Sequence, residues 1–307
     1  MIDEREWQET FAGSFRGDVK FGVSLKERTS LAIGGPCDVL AEPGEPVSLR
    51  NMLVVLERRG IPFLVIGGGT NVLVRDGGID GVVISLRGLN RIEVIRESNA
   101  DAELFVEAGT GLQRLVNFCK EKGYAGVEGL AGIPGTVGGA ISGNAGSYGC
   151  EMKDVVVSVA LMDSAARLDR LAAPAMRFGY RSSGVRQTDV VLSANIRLQR
   201  DEPQAVALRT EGFFNEKKKT QPLSERSAGC VFRNPAAGSA GRMIDEAGCK
   251  GMRVGGVEVS GLHANFFINR GSGTAADYLH LMDEVVSAVH RKFGVVLEPE
   301  IRVVGKA

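Results

Sequence analysis

Residues 65–74 read VIGGGTNVLV. An apolar run meets three consecutive glycines, then Thr70 and Asn71, then a second apolar run. No Lys-Ser/Thr follows, so this is not a Walker loop, and the spacing is not the G-x-G-x-x-G of a dinucleotide fold. Glycine lets successive backbone N–H groups turn toward one acceptor without Cβ interference, and such nests bind anions. Plain turn glycines explain a single G-G-G equally well, so the decision rests on what else the chain contains.

It contains a second glycine field. Ten of the 41 glycines fall in residues 123–149, GYAGVEGLAGIPGTVGGAISGNAGSYG, and six of them, Gly123 to Gly138, recur every third residue. Collagen is excluded by the single proline, Pro134, and by the globular sequence on either side. A flexible linker is disfavoured because Leu130, Ile133, Val137 and Ile141 interleave the glycines. The stretch reads as ordered backbone against which something packs closely. Thr70, Asn71, Thr136, Ser142 and Asn144 add side-chain donors, and neither GGGTN nor GIPGTVGGAISGNAG contains lysine or arginine. An anion there is held by neutral dipoles, which suits a buried pyrophosphate.

Working outward, the 307 residues allow two or three domains with their own cores, at 44% hydrophobic and 24% charged. Thirty-seven basic residues balance 37 acidic ones with no basic stripe, so no nucleic-acid partner is expected. The start, MIDEREWQET, has no signal-peptide core, and no apolar run approaches the ~20 residues of a membrane helix. The five cysteines, Cys37, Cys119, Cys150, Cys230 and Cys249, form no C-x-x-C pair, so neither a disulfide framework nor a metal site is expected. The composition reads as a soluble cytoplasmic protein, and no membrane insertion is expected.

Periodicity predicts a helix over 46–59 stopped by Gly60, strands at 62–66, 72–74 and 82–86, an alternating strand at 103–107, a helix over 112–122 ending at Gly123, and a strand at 155–162. RDEPQAV (200–206) reads as a loop and a boundary. A short helix near 240–247, a strand around HANFFIN (263–269) and a long helix over 274–293 follow, the last with Tyr278, Leu281, Met282, Val285 and Val289 on one face. EIRVV (300–304) is a final strand. Three segments are expected: 1–86, 87–199 and 200–307. RGSGTAADYLHLM (270–282) contains G-x-G-x-x-A before a helix, but no second strand ending in an acid lies about 20 residues on, so it is not a Rossmann fingerprint. That helix start remains a candidate phosphate site.

TSLAIGGPCDVL (29–40), VIGGGTNVLV, GLAGIPGTVGGAISGNAGSYG, FGYRSS (178–183), QPLSERSAGCVFRNP (221–235), AGCKGMRVGGVEVS (247–260), HANFFIN and LEPEIRVVG (297–305) occur in the order found in UDP-N-acetylenolpyruvoylglucosamine reductases. The chain resembles that family over nearly its whole length from residue 22. The resemblance implies an α+β fold: a two-subdomain FAD-binding fold of the vanillyl-alcohol-oxidase type (1–86 and 87–199) plus a substrate domain (200–307). It implies reduction of the enolpyruvyl ether of UDP-GlcNAc by NADPH through FAD, in peptidoglycan precursor synthesis, by a monomer whose only partners are the UDP-sugar and NADPH. In such enzymes the glycine loops cradle the FAD pyrophosphate and flavin, here Ile66, Gly67, Gly68, Gly69, Thr70 and Asn71, with Gly132, Ile133, Pro134, Gly135, Thr136, Gly139, Ala140, Asn144 and Gly146. No histidine lies in either loop, so FAD is expected to be non-covalent.

The same resemblance gives Arg181 the role of holding the substrate carboxylate and Glu300 that of assisting it; on sequence alone, a loop salt bridge and a strand-end charge are the simpler readings. Cys230 stands where the family usually has serine and is implied to be the proton donor. A thiol, with an ordinary pKa near ~8.5, is a far stronger acid than an alcohol, although a lone cysteine is otherwise an inert small hydrophobe. Asn234 is implied to contact the substrate diphosphate, with one lysine of Lys217 to Lys219, taken as Lys218, and Tyr180 beside the substrate. The stretch from Gly184 to Arg226 is too short for the extra tyrosine loop of one subtype, which favours the shorter one. A flavin oxidase of small alcohols on the same fold, a non-catalytic nucleotide-binding module, and a nucleophilic role for Cys230 are the competing readings.

Overall fold

A computed structural model describes residues 4–11 and 13–307; Met1 to Asp3, part of the acidic start noted above, and Ala12 lie outside the described residues. The chain divides into two compact units that alternate along the sequence. Unit 1 comprises residues 1–21, 38–68 and 81–216, and unit 2 comprises 22–37, 69–80 and 217–307.

Unit 1 is built on two sheets over one continuous core. The first sheet has the order Gly17–Ser24, Pro36–Pro43, Ile79–Ser85, Phe63–Ile66. Its last two strands run parallel, with Phe63 opposite Val82. Helix Pro46–Arg59, between strands Pro36–Pro43 and Phe63–Ile66, begins with a proline, tolerated in a first turn that has no acceptor for its N–H. It buries Leu49, Met52, Leu53 and Leu56. The second sheet is antiparallel, in the order Leu168–Ala172, Val156–Met162, Val190–Arg200, Asp101–Glu107, Ile92–Glu97. Asp101–Glu107 turns Ala102, Leu104 and Val106 inward, as alternation predicts. Helix Leu112–Lys122 ends at Gly123 in the left-handed conformation (φ 71°), so its bounds match the sequence reading.

Strands Gly17–Ser24, Pro36–Pro43, Ile92–Glu97, Leu168–Ala172 and Val190–Arg200 have no counterpart in that reading, and two helices depart from it. Helix Glu4–Phe11 has no counterpart in it; Trp7 and Phe11 are buried together, 4.4 Å between ring centroids, and Phe15 packs edge-on to Trp7. RDEPQAV is not a loop throughout: after strand Val190–Arg200, helix Pro203–Thr220 starts within it. This helix lacks a periodic apolar stripe because Leu208 is 72% exposed while Val206 and Lys217 are buried. Arg209 joins its first turns to Glu128 (2.9 Å) and Asp201 (2.7 Å).

Unit 2 has a three-stranded antiparallel sheet, Arg253–Val254, Val257–Val259 and Phe267–Asn269. Helices Ala240–Glu246 and Ala275–Phe293 belong to the same core, and strand Arg302–Val304 pairs in parallel with Val72–Val74. Helix Ala275–Phe293 buries the five predicted residues Tyr278, Leu281, Met282, Val285 and Val289. Burying one such side chain contributes about 1.5–3 kcal/mol, whereas the exposed His280–Glu284 pair at 3.6 Å contributes a few tenths at most. Packing, not surface charge, holds this helix. Among the described residues no helix is long and apolar enough to cross a membrane.

The start of that helix is not an anion site. Both carboxylate oxygens of Asp76 accept from the N–H groups of Ala275 and Ala276 at 3.0 Å, and Thr274 and Asp277 cap each other. The donors that a phosphate would use are taken by the chain itself. Replacing Asp76 by alanine is expected to lower unfolding stability by about 1–2 kcal/mol, read from the urea midpoint. A midpoint equal to the parent's would show that this cap contributes nothing.

Candidate functional site

The two glycine loops meet in unit 1. Strand Phe63–Ile66 delivers the chain to Gly67, where a Cβ would lie 2.6 Å from the Thr136 hydroxyl oxygen. Thr136 opens the short helix Val137–Ser142, its hydroxyl accepting from the Gly139 N–H at 3.5 Å. The loop before it is fastened to the neighbouring backbone: Leu112 donates to Gly135, Val137 to Thr110 and Gly138 to Ala108, at 2.8–2.9 Å. Gly132 N–H donates to the Gln113 side chain at 2.9 Å, and Ile133 N–H to Leu130 at 3.0 Å. Ala140 N–H donates to Thr136 C=O at 2.9 Å.

Asn144 is 1% exposed, and its carboxamide is fully engaged by protein. Its Nδ2 donates to Glu151 and to Gly179 C=O, both at 2.9 Å, and its Oδ1 accepts from Lys153 N–H at 3.0 Å. These bonds tie the glycine field to the FGYRSS turn. There Gly179 and Ser182 exchange backbone hydrogen bonds, leaving Tyr180 and Arg181 at the tip. Arg181 adopts φ 52°, a conformation that non-glycine residues rarely hold without a reason. Its guanidinium donates to Gly146 C=O at 3.1 Å and lies 5.5 Å from the Tyr180 ring, which is 51% exposed. Lys153 holds the Glu151 carboxyl below the usual carboxylate range, and Asn144 and Arg181 add to the effect.

In unit 2 the second half of GGGTN is locked to the chain beside it. At Gly69 a Cβ would fall 1.9 Å from Arg28 C=O, and Ser30 N–H donates to Gly69 C=O at 2.9 Å. Asn71 reaches the last predicted strand: its Nδ2 donates to Glu300 C=O at 3.2 Å, and its C=O accepts from Arg302 N–H at 3.1 Å.

Cys230 and Glu300, 70 positions apart, come together here. Cys230 forms a bridge with Phe266, and Val231 C=O accepts from the Glu300 N–H at 2.7 Å. On its other edge Val231 N–H donates to Asn265 C=O at 2.9 Å. Both side chains are half-buried. The neighbouring Tyr278 hydroxyl is buried with no hydrogen-bond partner among the described residues; burial raises its pKa, and the charge of Cys230 adds to that. The other thiols fit the inert reading. Cys37, Cys119 and Cys249 are buried, and Cys150 is pushed up to about 11 by burial and by nearby Asp154 and Glu128.

Asn234 accepts from the Ala240 N–H at 2.9 Å, so its side chain steadies helix Ala240–Glu246. Of the three lysines ending helix Pro203–Thr220, Lys217 is 2% exposed while Lys218 and Lys219 face solvent. Among the described residues no group of histidine, cysteine and carboxylate side chains could hold a metal.

Sequence reasoning missed Asn265. Its side chain accepts from Phe232 N–H at 2.9 Å and donates to Phe232 C=O at 2.8 Å. Either backbone group left unpaired at that buried position would cost about 1–3 kcal/mol. The available signal was an asparagine inside the apolar run HANFFIN, where a buried polar group needs partners.

The donor set fits a flavin dinucleotide. Two bare backbone loops in contact, carrying neutral donors and no lysine or arginine, suit a diphosphate held by amide dipoles. The comparisons with known proteins agree. Residues 37–171 match the FAD binding domain family, and residues 221–304 match the C-terminal domain of UDP-N-acetylenolpyruvoylglucosamine reductase. A reductase of that name from Geotalea uraniireducens is 38% identical, covering 95% of this chain and 96% of its own. One from Desulfosudis oleivorans is 40% identical over 98% of both chains. The crystal structure of the Thermus caldophilus reductase superposes with a TM-score of 0.81 at 32% identity, covering 95% of this chain and all of that one. On these similarities, which span both units, the chain belongs to the UDP-N-acetylenolpyruvoylglucosamine reductase family.

Proposed function

We propose that the protein reduces the enolpyruvyl ether of UDP-GlcNAc to UDP-N-acetylmuramate with NADPH and FAD, a step in peptidoglycan precursor synthesis. The observation that carries the residue roles is the meeting of Cys230 and Glu300 on adjoining backbone. When bound, FAD supplies the hydride relay from NADPH to the vinyl carbon distal to the substrate carboxylate. The chain's own groups have two remaining tasks. They stabilise negative charge building on the carboxylate, and they deliver a proton to the carbon that bears it.

Arg181 suits the first task, because a planar guanidinium meets a carboxylate bidentately. Its φ of 52° and its bond to Gly146 fix where the guanidinium starts from. Glu300, half-buried and held through its backbone to Val231, assists as a hydrogen-bonding carboxyl. Cys230 delivers the proton: the S–H bond breaks, a C–H bond forms, and the thiolate takes its next proton from solvent. Ile66 to Asn71 and the loop from Gly132 to Gly146 hold FAD, with Asn144 shaping the loop through its contacts to Gly179 and Glu151. Tyr180, Asn234 and Lys218 bind the sugar nucleotide. Unit 1 is read as two cofactor-binding subdomains that meet near residue 86, and the 200–307 segment as the substrate domain. Strand Val190–Arg200 and helix Pro203–Thr220 fill the stretch from Gly184 to Arg226, which supports the shorter subtype. Use of NADPH and a nucleotide sugar, together with five cysteines outside any disulfide, supports work in the cytoplasm, and the protein is read as a monomer.

Two outcomes are expected. In anaerobic stopped-flow at 450 nm, Cys230→Ala is reduced by NADPH at the parental rate, but its reoxidation by the enolpyruvyl sugar nucleotide slows by roughly 10²–10⁴-fold. Equal reoxidation rates would remove Cys230 from the chemistry. Gly67→Ala, whose methyl would press on Thr136, is expected to purify folded by circular dichroism but without flavin absorbance. A fully yellow variant would show that the two loops do not hold the cofactor.

A further inference from the structure

Cys230 is a side chain on a short stretch of backbone, and what fixes that stretch fixes the thiol. Residues 231–233 are held along one edge by the last segment of the chain: Val231 C=O accepts from Glu300 N–H at 2.7 Å, and Arg233 N–H donates to Glu298 C=O at 2.9 Å. Along the other edge there is a bridge at Cys230–Phe266 and a bond from Val231 N–H to Asn265 C=O at 2.9 Å. At Phe232 no backbone takes the next place in that ladder. The Asn265 carboxamide does, with Oδ1 accepting from Phe232 N–H at 2.9 Å and Nδ2 donating to Phe232 C=O at 2.8 Å. Asn265 is 2% exposed, and its own N–H donates to Nδ1 of His263 at 3.3 Å. Burial lowers the His263 pKa, which favours the neutral ring that this acceptor role requires.

Few side chains can do this. A carboxamide presents one donor and one acceptor side by side, as a strand edge does. Aspartate lacks the donor at neutral pH, leucine lacks both groups, and glutamine is one methylene too long. We infer that Asn265 is a positioning residue for proton delivery: by standing in for a strand at Phe232, it holds the backbone that carries the Cys230 thiol in register with Glu300. This rests on the reading of Cys230 as the proton donor. Its consequence is selective, because reduction of FAD by NADPH does not involve the thiol, whereas hydride transfer from the flavin to the substrate is coupled to the proton that the thiol delivers. A displacement near 1 Å at a reacting group lowers the rate by as much as about a hundredfold.

The test compares the FAD-loaded parent, Cys230→Ala, Asn265→Ser and the double variant in the two half-reactions at 450 nm. Serine keeps a polar group and leaves space for a water, so this variant is chosen to fold; Asn265→Asp, which keeps only the acceptor, is the second variant. Asn265→Ser is expected to be reduced by NADPH within about twofold of the parent, to bind the sugar nucleotide with unchanged affinity, and to reoxidise roughly ten- to a hundredfold more slowly. Asn265→Asp should be slowed in the same step. The double variant should be no slower than Cys230→Ala, since a misplaced group that is already absent cannot be lost again. Parental reoxidation in Asn265→Ser, equal slowing of both half-reactions, or losses that multiply in the double variant would each overturn the inference. If Cys230→Ala itself reoxidises at the parental rate, the proton-donor reading fails instead, and that arm identifies the failure separately.

Discussion

Glycine backbone packed against its neighbours, closer than any side chain would permit, is the constraint on which the site loops of both units are built. At Gly67 a single methyl would lie 2.6 Å from the Thr136 hydroxyl, and at Gly69 it would fall 1.9 Å from the Arg28 carbonyl. These two positions lie two residues apart in one loop, and they pack it against different partners: the second glycine loop in unit 1 and the chain at Arg28–Thr29 in unit 2. The loop is thereby ordered by packing rather than by charge. That order is what a neutral anion cradle needs, because amide dipoles act only when they are already aimed.

The proposed proton donor obeys the same logic. Its backbone is held on two edges by segments distant in sequence, so the relation of Cys230 to Glu300 is a matter of register rather than side-chain choice. A buried asparagine completes the ladder at the one place where no strand does. Polar groups in the interior are stabilising only when fully satisfied, and Asn265 and Asn269 are both anchored. Asn269 donates to Leu31 C=O and accepts from the N–H groups of Gly271 and Gly273. Among the described residues the Tyr278 hydroxyl beside Cys230 and Arg233 Nε are buried without such a partner.

What could be read from sequence followed from how strongly each element repeats. Helix Leu112–Lys122 was legible to the residue because a regular apolar face meets a glycine stop, and helix Ala275–Phe293 because its five-residue stripe is all buried. Helix Pro203–Thr220 was not, since Leu208 lies outside while Lys217 lies inside, and no period survives that inversion. Helix Glu4–Phe11 is too short for its two aromatic anchors to form a pattern. The ordered backbone of the glycine field was legible from its interleaved apolar residues. Two things were not: the alternation of the chain between units, which no shift in composition marks, and the pairing of positions 230 and 300, which depends on long-range register. The helix start at Ala275 looked like an anion site, and only the fold brings Asp76 to fill it.

The most direct test of the account is an anaerobic turnover in D₂O with unlabelled NADPH, FAD and the enolpyruvyl UDP-sugar, followed by NMR of the product. The account predicts one deuterium on the carbon that bears the carboxylate, delivered by an exchanged acid of the protein. NADPH oxidation that continues beyond one equivalent of FAD without the sugar nucleotide, or a product with no deuterium beside its carboxylate, would contradict it.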